Sequence, residues 1–329
     1  MLKGELRAPM NNNNLLQDMS EMIIKKNQLV ILILFCIMCL FAGCSDKDTH
    51  NQISQETDNH LTIACTIPPQ EEFIKAIGGD SVTVQIMVPP GASPHTFEPT
   101  PSQISHLENA DLYIILGSGI EFENRWISRI RTMFPNLILV NSSERIQLRH
   151  ESEDHHHESS SDSEDQEESI DPHIWLSIKN TMEIVNTTCD AMSQLRPSQK
   201  GVFEQNRDRY LARLITLDSK ITETLTTIPS RTILVYHPAF GYFCQDYNLT
   251  QLAVEEEGKE PSSQSLAKLI AKARSENITL IFTEPEFSTR GAETLATEIN
   301  GTLVLITPLS GEYLTNMQHI ADSIAKGNR

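Results

Sequence analysis

Beyond residue 60 the chain alternates between short apolar runs and longer stretches with helical spacing. Leu61-Thr62-Ile63-Ala64-Cys65-Thr66 opens the series as a strand, and residues 70–77 follow with helical periodicity and stop at Gly78-Gly79. Residues 81–88 alternate as a second strand that ends in Pro89-Pro90-Gly91. A helix over 101–109 and apolar strands over 112–116 and 137–140 come next. From Pro197 to about Thr227 there is no further proline and no alternation. There Val202, Tyr210, Leu214, Leu217, Ile221 and Leu225 recur at helical steps, which predicts one long helix. At 1.5 Å per residue, about thirty residues reach about 45 Å, enough to cross a whole domain. The alternation then restarts with strands over 232–236, 279–282 and 302–306 and a helix over 262–276. Short strands separated by helices predict α/β architecture: two lobes, each a mostly parallel sheet flanked by helices, joined by one long rigid helix. The boundaries expected are 60–196 for the N-terminal metal-binding lobe, 197–228 for the linker helix and 229–329 for the C-terminal metal-binding lobe.

The first sixty residues read differently. Leu29 to Gly43 is an apolar run preceded by Lys25 and Lys26 and followed by polar Ser45-Asp46-Lys47-Asp48. A membrane-spanning helix needs about 20 apolar residues. This shorter run has the charged, apolar, small-residue order of an export signal over residues 1–43. A start at Met22 gives the more conventional opening MIIKKNQLV. Leu40-Phe41-Ala42-Gly43-Cys44 resembles a bacterial lipoprotein cleavage box, with Cys44 as the lipidated first mature residue, although Phe41 is an unusual occupant. The competing reading is an anchoring helix that is never cleaved. With the signal cleaved, residues 44–59 are the lipidated cysteine and a polar tether.

Charge narrows the partners. The formal net charge is −18, which argues against nucleic acid and anionic membrane surfaces. Residues 151–171 carry ten acidic side chains and no base, so the segment 150–170 is expected to be a disordered, His- and acid-rich loop. Cys65, Cys189 and Cys244 stand at no metal-binding spacing. They read as small buried apolar side chains, with one disulfide left open.

Three histidines carry the candidate chemistry. His95 lies in Gly91-Ala92-Ser93-Pro94-His95-Thr96-Phe97-Glu98-Pro99, on a loop directly after a strand. His173 lies in Asp171-Pro172-His173-Ile174-Trp175 and His237 in Tyr236-His237-Pro238-Ala239. Each adjoins a proline, which stiffens the backbone that would hold a ligand. In folds of this class, ligands gather at loops beyond the carboxyl ends of strands. Three imidazoles with one open position would suit Zn²⁺, with Asp171 and Glu98 as candidate hydrogen-bond partners behind the rings. His150, His155, His156 and His157 could capture zinc weakly, or could be mere parts of a solvated spacer. His50, His60, His106 and His319 read as surface residues. The same three-histidine layout serves zinc hydrolases, yet the chain contains no HExxH, GxSxG or phosphate-cradling glycine loop.

The segments GASPHTFEPTPSQ, DPHIWLS, YHPAFGYF and Phe282-Thr283-Glu284-Pro285-Glu286-Phe287-Ser288, in this order around a long helix, resemble the metal receptors of ABC importers. These are the ZnuA/TroA-type solute-binding proteins, and the resemblance covers roughly residues 60–325. It implies metal ligation by His95 and His173. A third ligand, His237, points to zinc, because manganese receptors typically place glutamate there. Many members add a late aspartate. The Glu284, Glu286, Ser288 region is the expected counterpart, so three histidines with a water or a nearby carboxylate are expected. The resemblance further implies a lipid-anchored, extracytoplasmic zinc receptor that is a monomer, is no enzyme and delivers Zn²⁺ to a membrane permease. The alternatives are a manganese or iron receptor, a zinc hydrolase and an adhesion lipoprotein.

Overall fold

Short parallel strands require crossovers, and the intervening segments supply them as helices. The computed structural model describes residues 60–150, 170–255, 261–287 and 290–327. The export signal, Cys44, the tether, His155, His156, His157 and Ser288 lie outside them.

The first lobe is a four-stranded sheet of β1 (Leu61–Cys65), β2 (Val82–Ile86), β3 (Leu112–Ile115) and β4 (Ile138–Asn141) in the order β2-β1-β3-β4. All its pairings are parallel, with Leu61 opposite Val82 and Leu112 opposite Ile138. The second lobe repeats the arrangement with β5 (Thr232–Val235), β6 (Thr250–Ala253), β7 (Leu280–Thr283) and β8 (Thr302–Leu305) in the order β6-β5-β7-β8, again parallel throughout. The predicted strands are all present, five of them trimmed by one to three residues and those at 137–140 and 279–282 shifted by one residue toward the C-terminus. β6 escapes sequence reading because Thr250-Gln251-Leu252-Ala253 is too short and mixed to show a period.

Helices cover the sheets. In the first lobe they are α1 (Pro68–Gly78), α2 (Pro101–His106) and α3 (Glu121–Met133). Proline opens both α1 and α2, and Thr100 caps α2 by accepting from the Gln103 backbone N–H. α4 (Ile178–Leu195) leads through a short 3₁₀ turn at Pro197–Gln199 into α5 (Lys200–Thr226), the predicted long helix of 27 residues. The second lobe carries α6 (Gly241–Tyr247), α7 (Ser263–Ser275), α8 (Arg290–Ile299) and α9 (Tyr313–Gly327).

One assignment along α5 needs correction. Val202 is 58% exposed, and Phe203 occupies the buried place instead. Phe203 stands seven residues before Tyr210, two full turns on the stripe that continues through Leu214, Leu217, Ile221 and Leu225.

The lobes share one continuous apolar core. Phe73 of α1, Tyr210 and Leu214 of α5, Tyr313 and Met317 of α9, and Trp175 all belong to it. Phe73 meets the Tyr313 ring edge-on at 4.9 Å. Trp175 Nε1 donates to the Pro308 carbonyl at 3.0 Å, and the Tyr313 hydroxyl donates to the Trp175 carbonyl at 2.8 Å. Such packing joins the two lobes through a shared apolar core rather than through the linker helix alone. Cys65, Cys189 and Cys244 are buried and form no disulfide among the described residues. Among those residues no helix is long and apolar enough to cross a membrane.

Candidate metal centre

The three singled-out histidines meet. Their ligating nitrogens lie within 4.8 Å of one another, and they form the group of metal-competent side chains found among the described residues. Each arrives on a different loop.

His95 follows β2. The loop turns at Gly91, whose φ of 81° favours glycine, and tightens through hydrogen bonds from the Thr96 and Phe97 N–H groups to the Ser93 carbonyl. α3 then clamps it. Phe122 N–H donates to the Pro94 carbonyl at 3.0 Å, and Arg125 donates to the carbonyls of His95 and Phe97 at 3.1 and 3.3 Å. Glu121 Oε2 lies 2.6 Å from His95 Nδ1. Glu98 does not stand behind a histidine. It pairs with Arg125 at 3.0 Å and accepts from Trp126 Nε1 at 3.0 Å, which stiffens the loop from its far side.

His173 precedes the 3₁₀ turn Ile174–Leu176. Asp171 Oδ1 accepts from its backbone N–H at 3.0 Å and faces its Nδ1 at 2.9 Å. His237 follows β5 directly, and Glu255, just past β6, places Oε2 2.7 Å from its Nδ1. Phe287 stacks on the His237 ring with centroids 4.4 Å apart.

A carboxylate therefore stands at Nδ1 of all three rings. The proton belongs on that side, which leaves Nε2 of each ring as a lone pair facing the centre. His173 Nε2 and His237 Nε2 are 3.2 Å apart. Two converging lone pairs repel at that distance unless a cation lies between them. A tetrahedral zinc with Zn–N of about 2.0–2.1 Å would separate its nitrogens by about 3.3 Å. The donor set fits such an ion, and the His173–His237 separation matches it.

The electrostatics follow burial. Burial lowers the His237 pKa to about 4, against the opposing pull of Glu255, so the ring is a neutral donor at neutral pH. Burial would raise Asp171, but hydrogen bonding and charge from His173, with Arg149 behind, hold it below the usual carboxylate range. Glu121 likewise ends below that range, because His95 outweighs its partial burial. Glu284 behaves oppositely: it is 1% exposed, and burial together with Glu286 drives its carboxyl well above the usual range.

The histidines line a cavity with Ser93, Trp175, Glu284, Glu286 and Phe287 that leaves about 20 Å³ for the centre of a water-sized sphere. That is room for an ion or one water beside the rings. Both Glu284 oxygens and Glu286 Oε1 lack a well-formed hydrogen bond among the described residues, with the backbone N–H of His237 approaching Glu284 only weakly. His150 stands apart from this group, in an antiparallel bridge with Ile170. Sequence reasoning missed Glu121 and Glu255, since nothing local ties a glutamate to a histidine 26 or 18 residues away.

Two parallel α/β lobes, with carboxylate-backed imidazoles from both closing on one small space, define a metal-capturing solute receptor. The profile of the family described as "Zinc-uptake complex component A periplasmic" matches residues 63–327. The high-affinity zinc uptake system protein ZnuA of Bacillus subtilis is 32% identical over 292 residues, covering 87% of this chain and 90% of its own. The zinc-binding lipoprotein AdcA of Streptococcus pneumoniae is 28% identical, and there the match spans 55% of that longer protein. A crystal structure of ZnuA superposes with a TM-score of 0.76 at 34% identity, covering 82% of this chain and 100% of that one. A zinc-bound ZnuA with an internal deletion gives 0.74 at the same identity. The chain belongs to the ZnuA family of zinc-uptake components.

Proposed function

We propose that the protein is an extracytoplasmic receptor that takes up Zn²⁺ between its lobes through His95, His173 and His237 and hands the ion to an ABC importer. The observation that carries this reading is the triple pairing of Nδ1 with Glu121, Asp171 and Glu255, which turns all three Nε2 atoms inward. Three neutral nitrogens favour zinc over manganese or iron, which are better served by carboxylate oxygen. Zinc is cargo here, and no bond of a substrate is made or broken. The ion-sized cavity weighs against a hydrolase.

Glu284 supplies the fourth donor. A buried carboxylate with no well-formed hydrogen bond costs a few kcal/mol. A cation beside it would remove that cost and restore its ionised form. Glu286 is the neighbour that could stand in, and Ser288 of the same segment is the third candidate. Lipid attachment at Cys44 would hold the protein at the envelope as a monomer. The domain boundaries given above for the lobes and linker, with 150–170 as a weak auxiliary zinc collector, complete the reading. The ZnuA and AdcA relatives, by name a zinc uptake protein and a zinc-binding lipoprotein, support it.

The test is zinc stoichiometry and affinity of residues 45–329 by competition with a chelating dye. One tight site that disappears in His95→Ala, His173→Ala and His237→Ala is expected. Zinc binding that survives all three changes would sink the assignment. Glu284→Gln should weaken zinc at least tenfold and alter the visible spectrum of the Co²⁺ form, and an unchanged spectrum would move the fourth position elsewhere. Cys44→Ala should abolish lipid labelling, and unaltered labelling would refute the anchor.

A further inference from the structure

Behind Asp171 sits a second buried charge. The Arg149 side chain is 7% exposed, and its Nη1 donates to Asp171 Oδ2 at 3.0 Å. The other oxygen of the same carboxylate holds both the ring and the backbone N–H of His173. Tyr242, from the second lobe, closes the arrangement. Its hydroxyl accepts from Arg149 N–H at 3.0 Å and donates to the Asp171 carbonyl at 3.2 Å, while its ring lies 5.7 Å from the guanidinium. Gly241, at the start of α6, leaves the room: a Cβ there would stand 1.6 Å from Arg149 Nη1 and 2.4 Å from Asp171 Oδ2. α6 begins only four residues after His237. Arg149 thus touches both the carboxylate that orients one histidine and the helix that follows another.

We propose that Arg149 is a positioning residue for the ion site. It fixes Asp171 against α6 of the opposite lobe, and Asp171 in turn aims His173 at the point where His237 aims. Removing the guanidinium leaves a buried carboxylate without its counter-charge, free to rotate away from His173. The chain Arg149, Asp171, His173 is a single mechanical path. Arg149 therefore contributes to zinc affinity only while Asp171 is a carboxylate. Loss of an outer partner of this kind typically costs 10–100-fold in metal affinity. The role rests on His173 being a zinc ligand.

The experiment is a double-mutant cycle on the mature chain, with zinc affinity from chelator competition and the Co²⁺ visible spectrum as readouts. Arg149→Met should weaken zinc 10–100-fold and shift the Co²⁺ bands. The same change in an Asp171→Asn background should cost less than about threefold. Gly241→Ala, which keeps every charge but crowds the Arg149–Asp171 pair apart by pressing on both Arg149 Nη1 and Asp171 Oδ2, should weaken zinc in the same direction. It also covers the case in which Arg149→Met does not fold. A merely structural role would lower the melting temperature in each variant while the folded protein kept its zinc affinity and Co²⁺ spectrum. That result, or an equal loss with and without Asp171, would overturn the proposal. His173→Ala separates the two levels. If it binds zinc normally, the site itself is misassigned. If it loses zinc while Arg149→Met and Gly241→Ala do not, only the positioning role fails.

Discussion

Replacing Glu255 with glutamine keeps the shape of the side chain and removes the charge behind His237. The carboxylate is buried and lies 2.7 Å from Nδ1. A hydrogen bond to a charged group in such a setting is worth roughly 1.5–3 kcal/mol. Metal binding increases the demand for it, because the ring gives up electron density at Nε2. At about 1.4 kcal/mol per factor of ten, zinc affinity should fall about 10–100-fold. The comparison with Glu121 sharpens the expectation. That carboxylate sits equally close to its ring, at 2.6 Å, but its side chain is 50% exposed. Water can replace it and solvent screens its charge, so Glu121→Gln should cost no more than about threefold. Zinc titrations against a competing chelator at pH 7.5 measure both variants. Equal losses, or a Glu255→Gln protein within threefold of the wild type, would refute the argument that burial rather than distance sets the strength of these pairs.

Further outcomes follow from the same geometry. In the metal-free protein the His237 ring should stay neutral until about pH 4, where an unperturbed histidine titrates near 6.5. Because the folded pKa is the lower one, His237 contributes stability that is full above about pH 6.5 and fades toward pH 4, about 3 kcal/mol in all. Glu284 shifts the opposite way, so the clean readout is the His237 imidazole ¹⁵N signal, and a midpoint above pH 6 would contradict the burial argument. Phe73→Ala should cost about 3–5 kcal/mol and still leave one thermal transition by circular dichroism, since the lobes share its core. Two separated transitions would mean they fold independently. His237→Glu should shift preference from Zn²⁺ toward Mn²⁺, measured as the ratio of the two affinities. An unaltered ratio would show that selectivity lies elsewhere.

Much was legible in the chain itself. Strand alternation, the helix punctuation at Gly78-Gly79 and Pro101, and the long apolar stripe of α5 are local signals that the backbone must obey wherever it folds. The prolines beside His95, His173 and His237 marked stiff loops, and the order of the surrounding segments gave the family. The slip from Phe203 to Val202 shows the limit of periodicity: one residue moves a side chain about 100° around the helix, and only packing decides which of two neighbours goes in. Spacing along the chain could not bring together histidines 78 and 64 residues apart; the resemblance implied that they meet, and the tertiary structure supplies the means, because convergence depends on how two sheets are set around a common core. The carboxylates behind the rings were equally invisible, since Glu121 and Glu255 reach their partners across different loops. Arg149 and Gly241 belong with them. A glycine whose purpose is to leave space for an arginine from the other lobe has no signature along the chain, only in the contact that its missing side chain permits.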